Sequence, residues 1–212
     1  ATGIDSTYAR AWAGLAESNV LLPEYGDTTR TSLAFLEEAV VAAQRAMTLD
    51  STAVDVRLAH ARVLSGQFRL ADALRAVNGA IASDSTSMFA WQLKSELLRG
   101  LGQPEAAGVS LRQGLAIDRL APVVHAARAE WFLASRMNDS AIASAERAVA
   151  LAPDERAWAT TLMVSYAAGG RMDDAVRLCS AGGPSDGCTA LFRGMGGDAA
   201  YTSSARAIVK GF

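Results

Sequence analysis

Two cysteines, Cys179 and Cys188, are the residues whose type and spacing could form a bond with each other. They stand nine apart around a Gly-Gly-Pro turn. A bridge across so short a loop would contribute about 2–3 kcal/mol in the chain-entropy model. It would clip the C-terminal segment to the preceding helix and imply an oxidising compartment. The other reading is two unrelated thiols, with Cys179 filling a helical position that Val77, Leu111 and Ala145 fill earlier in the chain. Without a nearby histidine, two sulfurs fall short of the four ligands of a structural zinc, so no metal site is expected.

The two histidines, His60 and His125, stand almost two repeats apart and form no Ser/His/Asp or Cys/His constellation. Gly194-Met-Gly-Gly-Asp198 lacks the Lys-Ser/Thr of a phosphate loop and follows no strand pattern, so it reads as a flexible loop. Asn138-Asp-Ser140 fits a glycosylation acceptor, a tripeptide that arises easily by chance. No cofactor motif and no paired acid and base residues are found, and the expectation is a protein without catalytic activity or cofactor.

Composition points to helices as the elements that carry these residues. Of 212 residues half are hydrophobic, yet only 7% are aromatic, and alanine supplies much of the apolar content. Alanine is the strongest helix former and allows close helix approach. Net charge is -2, with 20 basic and 22 acidic residues intermingled. No basic block or aromatic-basic stripe exists, so nucleic acid is not an expected partner. No apolar run approaches the roughly 18 residues of a membrane span. A membrane-associated complex and a homo-oligomer both stay open.

The chain repeats. Asp50, Asp84, Asp118 and Ala152 follow one another at intervals of 34 residues, and each ends a helix-like phrase such as Ala46-Met-Thr-Leu-Asp50. An earlier anchor, Asp5, precedes Asp50 by 45, so the first unit is 11 residues longer. At offset 23 from each anchor stand Ala39 (allowing for the insertion), Ala73, Ala107, Ala141 and Ala175. At offset 30 are Ala46, Ala80, Gly114, Ala148 and Gly182; at offset 11 are Ala16, Ala61, Ser95, Ala129 and Met163. Small residues at these slots let two helices, and successive pairs, approach closely. Trp12 and Trp91 at offset 7, and Leu98, Phe132 and Tyr166 at offset 14, fill the gaps between them.

With its 34-residue period, its Trp12-x-x-Leu15-Ala16 stretch, its alanine slot and Ala152-Pro153, the chain resembles the tetratricopeptide repeat family. The resemblance covers roughly residues 1–181. It implies an all-α, right-handed superhelical solenoid of about five helical hairpins, with units near 5–49, 50–83, 84–117, 118–151 and 152–181. A Gly-rich tail and cap at 182–212 would follow. Helices are expected near 6–21, 31–48, 53–65, 69–82, 87–101, 104–117, 121–136, 139–151, 155–168 and 172–181. Loops are expected at Pro23 to Thr29, Gly66-Gln67, Gly102-Gln103, Asn138-Asp139 and Gly169-Gly170, and Ser or Asp beside the anchors would cap the next helix. Three departures stand out: Arg57 where a large aromatic is usual, a turn glycine, Gly66, that comes early, and Met163 in a small slot. Ala1 falls in the small slot four residues before its anchor, which leads to the expectation that the chain is cut from a longer array.

The resemblance also implies function. The family builds a concave binding surface mainly from the first helix of each hairpin. Its slots fall here on Arg10, Glu17, Asp55, Arg62, Phe89, Gln92, Glu96, Arg99 and Glu130. Mixed charge and one aromatic suit a peptide with both signs of charge and an apolar anchor. The Lys/Asn cluster with which relatives grip acidic chaperone tails is absent, since Ala13 and Glu17 stand where it would begin. The expectation is a protein-binding scaffold or subunit of a larger, bacterial assembly. A self-assembling protein that stacks end to end is the alternative. Charge reversal at Arg62 and Arg99 together should then weaken binding without unfolding the array. The cysteine pair leans the expected compartment toward periplasm or cell surface.

Overall fold

Alanine at a fixed offset does its work only if it sits between helices, and it does. Ala39, Ala73, Ala107, Ala141 and Ala175 are all completely buried, as are Ala46, Ala80 and Ala148 at the second small slot. A computed structural model describes residues 6–22 and 31–180. Among them are ten helices and no strand. They are α1 (Ala9–Leu21), α2 (Ser32–Leu49), α3 (Val54–Gly66), α4 (Leu70–Ser83), α5 (Met88–Gly100), α6 (Pro104–Ile117), α7 (Pro122–Ala134), α8 (Asn138–Leu151), α9 (Arg156–Ala168) and α10 (Met172–Ser180). Every expected helix is present, and most of their ends fall within a residue or two of those expected.

The chain divides between Arg119 and Leu120 into two compact units. In the first, α1/α2, α3/α4 and α5/α6 form hairpins, and α3 packs on both α1 and α2 as α5 packs on α3 and α4. In the second, α7/α8 and α9/α10 form hairpins, and α9 packs on α7 and α8. The cores follow from that three-helix contact. Ala13 and Ala16 of α1, Ala39 and Ala43 of α2, and Val56 and Val63 of α3 make one cluster. Ala61, Leu64, Ala73, Val77, Leu93 and Leu97 join α3, α4 and α5 in the next. In the second unit Ala129, Ala145 and Leu162 unite α7, α8 and α9. Met163, the outlier in a small slot, packs on Ala175 and Cys179. Its unbranched thioether fills space there without the clash a branched chain would bring.

The other two departures also have physical reasons. At offset 7, Trp12 donates its indole N–H to the Ser6 carbonyl at 3.0 Å, and Trp91 to the Ser85 carbonyl at 2.9 Å. Arg57 makes the same bond, Nε to the Ser51 carbonyl at 2.8 Å. It then reaches α4, where its Nη1 donates to the Gly79 carbonyl and to Ser83 Oγ, both at 2.8 Å. The slot demands a long flat side chain with a donor, which guanidinium satisfies as well as indole.

In the four hairpins whose turns are described, the turn has one left-handed residue, always at offset 18. Gly102 and Gly170 hold it in two of them, at φ 73° and 74°. Phe68 and Arg136 hold it in the other two, at φ 59° and 57°. The next residue closes each turn onto the carbonyl at offset 14: Arg69 on Leu64, Gln103 on Leu98, Met137 on Phe132 and Arg171 on Tyr166, at 2.8–2.9 Å. This is a Schellman-type helix end. Gly66 therefore does not make the turn. It ends α3, and a Cβ there would stand 3.0 Å from Leu36 Cδ1 of α2. The expected Asn138-Asp139 loop is corrected in the same way: both residues belong to the first turn of α8, and the turn lies at Ser135–Met137.

A side chain other than glycine in the left-handed region costs about 1 kcal/mol. Phe68→Gly and Arg136→Gly are therefore expected to stabilise their hairpins by about that amount each, read as a rise in thermal midpoint.

The anchors Asp50 and Asp84 are the C-cap residues of α2 and α4 and brace the loop before the next helix, which in α5 is capped, as expected, by a neighbouring serine: Ser87 Oγ accepts from the Ala90 amide at 3.4 Å. Asp50 Oδ1 accepts from the Thr52 hydroxyl at 2.7 Å, the Thr52 amide at 2.8 Å and the Ala53 amide at 3.2 Å. Asp84 Oδ1 accepts from the Thr86 hydroxyl and amide at 2.6 and 2.8 Å. The side-chain bonds from Thr52 and Thr86, followed by the backbone bonds, hold both carboxyls below the usual aspartate range. A depressed folded-state pKa gives stability that is present above the unfolded value, about 3.9, and is lost as pH falls through the folded value. Denaturation midpoints measured from about pH 5 downward should fall less steeply in Asp50→Asn/Asp84→Asn than in the native chain.

Candidate first-helix binding face

Offsets 5 and 12 lie two helical turns apart on the same side of each first helix. In the first unit this places Arg10, Asp55 and Phe89 in one row and Glu17, Arg62 and Glu96 in another. Side chains from adjacent helices meet along both rows. Arg10 Nε lies 3.1 Å from Asp55 Oδ2. Arg62 Nε lies 3.2 Å from Glu17 Oε1, and its Nη1 lies 3.9 Å from Glu96 Oε2. Glu96 also accepts the amide N–H of Gln92, while Gln92 Oε1 is buried without a hydrogen-bond partner among the described residues.

Eight of the nine expected binding residues thus share the first unit, on α1, α3 and α5. Glu130 lies on α7, in the second unit. With half-buried Arg99 included, the expected binding residues of this unit comprise three cations (Arg10, Arg62, Arg99) and three carboxylates (Glu17, Asp55, Glu96). These six charges cancel, and along the offset-12 row the sign alternates from helix to helix. Phe89, in the first turn of α5, is 53% exposed, an aromatic held out to solvent beside the charged rows.

Arg62 is the least accessible of the paired charged residues, its side chain 19% exposed between two carboxylates. Reversing its charge would place three carboxylates together and weaken the packing of α3 between α1 and α5. The double reversal with Arg99 would therefore disturb the fold as well as any bound partner, and Phe89 is the cleaner probe of binding.

The other residues singled out by type take structural positions or lie outside the described residues. Cys179 is fully buried, its Sγ 3.1 Å from Met163 Sδ, and Cys188 lies outside the described residues. So do Gly182 and Gly194-Met-Gly-Gly-Asp198. His60 on α3 and His125 on α7 belong to different units. Burial, followed by the nearby Arg69 charge, lowers the His60 pKa and favours its neutral form. The Asn138 amide donates to the Ala168 carbonyl at 2.6 Å and so caps the end of α9.

Sequence reasoning missed the pairing between rows and a repeated charge device on the second helices. In α4 and the residue before it, Arg69, Asp72 and Arg75 form a triad, with Arg69 Nε 2.8 Å from Asp72 and Arg75 bonded to its other oxygen. Arg171, Asp174 and Arg177 repeat it at α10, with Arg171 Nε 2.6 Å from Asp174. The signal was present as Arg-x-x-Asp-x-x-Arg at offsets 19, 22 and 25 in both units.

Hairpins of two helices, repeated every 34 residues with small residues at the points of closest approach, define an α-helical hairpin-repeat protein. Its fold is that of the tetratricopeptide-repeat proteins. The chain is similar to TTC0263, a thermophilic tetratricopeptide-repeat protein of Thermus thermophilus, at TM-score 0.68 and 17% identity over 93% of this chain and 98% of that one. It is similar to a chain of the APC/C hetero-tetramer Cut9–Hcn1 at TM-score 0.69 and 13% identity, over 90% of this chain and 37% of that one. Human IFIT1, in a dimer with m7Gppp-AAAA, aligns at TM-score 0.71 and 17% identity over 84% of this chain and 42% of that one. No protein-family model and no curated protein matches the chain.

Among the described residues no helix is long and apolar enough to cross a membrane.

Proposed function

We propose that this chain is a non-catalytic binding scaffold whose first-helix face, formed by α1, α3 and α5, holds a segment of another polypeptide. The observation that carries the reading is the face itself: exposed Phe89 completes a row with the Arg10–Asp55 pair, next to the row in which Arg62 lies between Glu17 and Glu96, on three helices packed in series. An aromatic anchor would supply most of the affinity, and the charged rows would fix register. The neutral total favours a partner segment carrying both signs of charge over a polyanion. The Cut9–Hcn1 complex has the same fold in an assembly of protein chains, which supports a polypeptide partner.

Cross-linking mass spectrometry on the protein in its native source tests this. Cross-links from the region of Arg62 to Arg99 to a different polypeptide are expected. Phe89→Ala should then weaken that complex about tenfold, the effect of losing one aromatic anchor. Cross-links mainly between copies of this chain would favour end-to-end stacking instead.

A further inference from the structure

Gln92 carries a group that is unusual for its position. At offset 8 the chain has Ala13, Leu58, Gln92, Ala126 and Thr160, so Gln92 is the one carboxamide in the slot. It is 3% exposed, and its Oε1 is the only buried side-chain polar atom that lacks a hydrogen bond among the described residues. Other buried polar side chains bond to their own helix: Ser110 donates to the Ala106 carbonyl at 3.1 Å, and Ser165 to the Thr161 carbonyl at 2.7 Å. Glu96 fixes which way the carboxamide faces. A carboxylate only accepts, so the amide nitrogen of Gln92 turns to it and the oxygen turns away. The Glu96 side chain is 33% exposed beside Arg62, which puts the Gln92 carboxamide one hydrogen bond beneath the surface of the first-helix face. A buried acceptor in this state is costly, and a donor supplied on binding removes the cost.

We propose that Gln92 Oε1 accepts a main-chain N–H of the polypeptide held on this face, and that the bound segment is extended at that point. The inference rests on the first-helix face being the binding surface. The donor is uncharged, because a cation at Gln92 would stand close to Arg62 at the Glu96 carboxylate. A helix interior does not supply it, because its N–H groups are spent on its own carbonyls. Phe89, Gln92 and Glu96 stand at i, i+3 and i+7, along one side of α5. Side chains three residues apart on a helix have Cβ atoms about 5–6 Å from each other. An extended chain advances about 3.3 Å per residue. The donated N–H therefore belongs to a residue one or two positions from the apolar side chain that covers Phe89. The terminal torsion of Gln92, which has broad minima, lets the oxygen turn to meet it.

The probe is a synthetic peptide covering the partner segment cross-linked to the region of Arg62 to Arg99, with a series in which each main-chain amide in turn is N-methylated. Titration calorimetry compares the native chain with Gln92→Met, which keeps the side-chain length and removes the carbonyl acceptor. Gln92→Met should bind the parent peptide about tenfold more weakly than the native chain does. N-methylation at one position beside the apolar anchor should weaken the native complex about tenfold and leave the Gln92→Met complex unchanged, so that the two losses do not add. Equal affinity of the two chains for the parent peptide overturns the proposal, and so does an N-methyl effect of the same size in both. A native chain that tolerates every N-methyl group overturns it without recourse to any variant. If Gln92→Met binds as the native chain does while Phe89→Ala still weakens the complex, the binding face stands and only the role of Gln92 falls. A peptide that does not bind, or no cross-link to another polypeptide, removes the face and this inference together.

Discussion

Leu97→Ala should lower unfolding free energy by about 2–5 kcal/mol, the largest effect expected of any single substitution proposed for this chain. Leu97 is 1% exposed and sits where α3, α4 and α5 meet, against Ala61, Leu64, Ala73, Val77 and Leu93. Two of these neighbours, Ala61 and Ala73, are alanines, which have no spare length to extend into the space left behind. The cavity therefore persists, and the cost lies above the simple transfer term. Urea denaturation followed by far-ultraviolet circular dichroism measures it. A loss below about 1 kcal/mol would mean that α5 shifts to close the gap.

The second large effect is at Arg57. Arg57→Ala removes the bond to the Ser51 carbonyl and both bonds into α4, and should cost about 2 kcal/mol, as expected for charge-assisted bonds that are partly exposed. Arg57→Trp should cost less, because indole N–H can restore the Ser51 bond that Trp12 and Trp91 make at the same slot. The ordering of the three proteins in thermal denaturation is the test. Equal losses for Ala and Trp would show that the α4 bonds, and not the shared one, carry the slot.

The helical hairpins and their small slots were legible in the sequence because sterics constrain residue type directly. Only alanine, glycine or serine lets two helices approach closely, so Ala73, Ala107 and Ala141 mark the register by identity alone. Arg57 was harder to read because its slot selects a shape and a donor, which two chemically different side chains share. Phe68 and Arg136 hid two turns for a related reason. Glycine is the usual mark of the left-handed region, but the closing bond from the next residue holds the turn whichever side chain occupies it. The candidate binding residues were legible as types on one helix face. Their pairing was not, since Arg62 meets Glu17 and Glu96 only through the spacing of three successive helices.

The bond at offset 7 has a consequence for spectroscopy. The indole protons of Trp12 and Trp91 are each tied to a backbone carbonyl six residues back, just before the first and third hairpins. Each proton can exchange with solvent only when its own bond opens. The two indole resonances are thus built-in reporters, and their exchange rates read local opening at the first and third hairpins separately within one molecule.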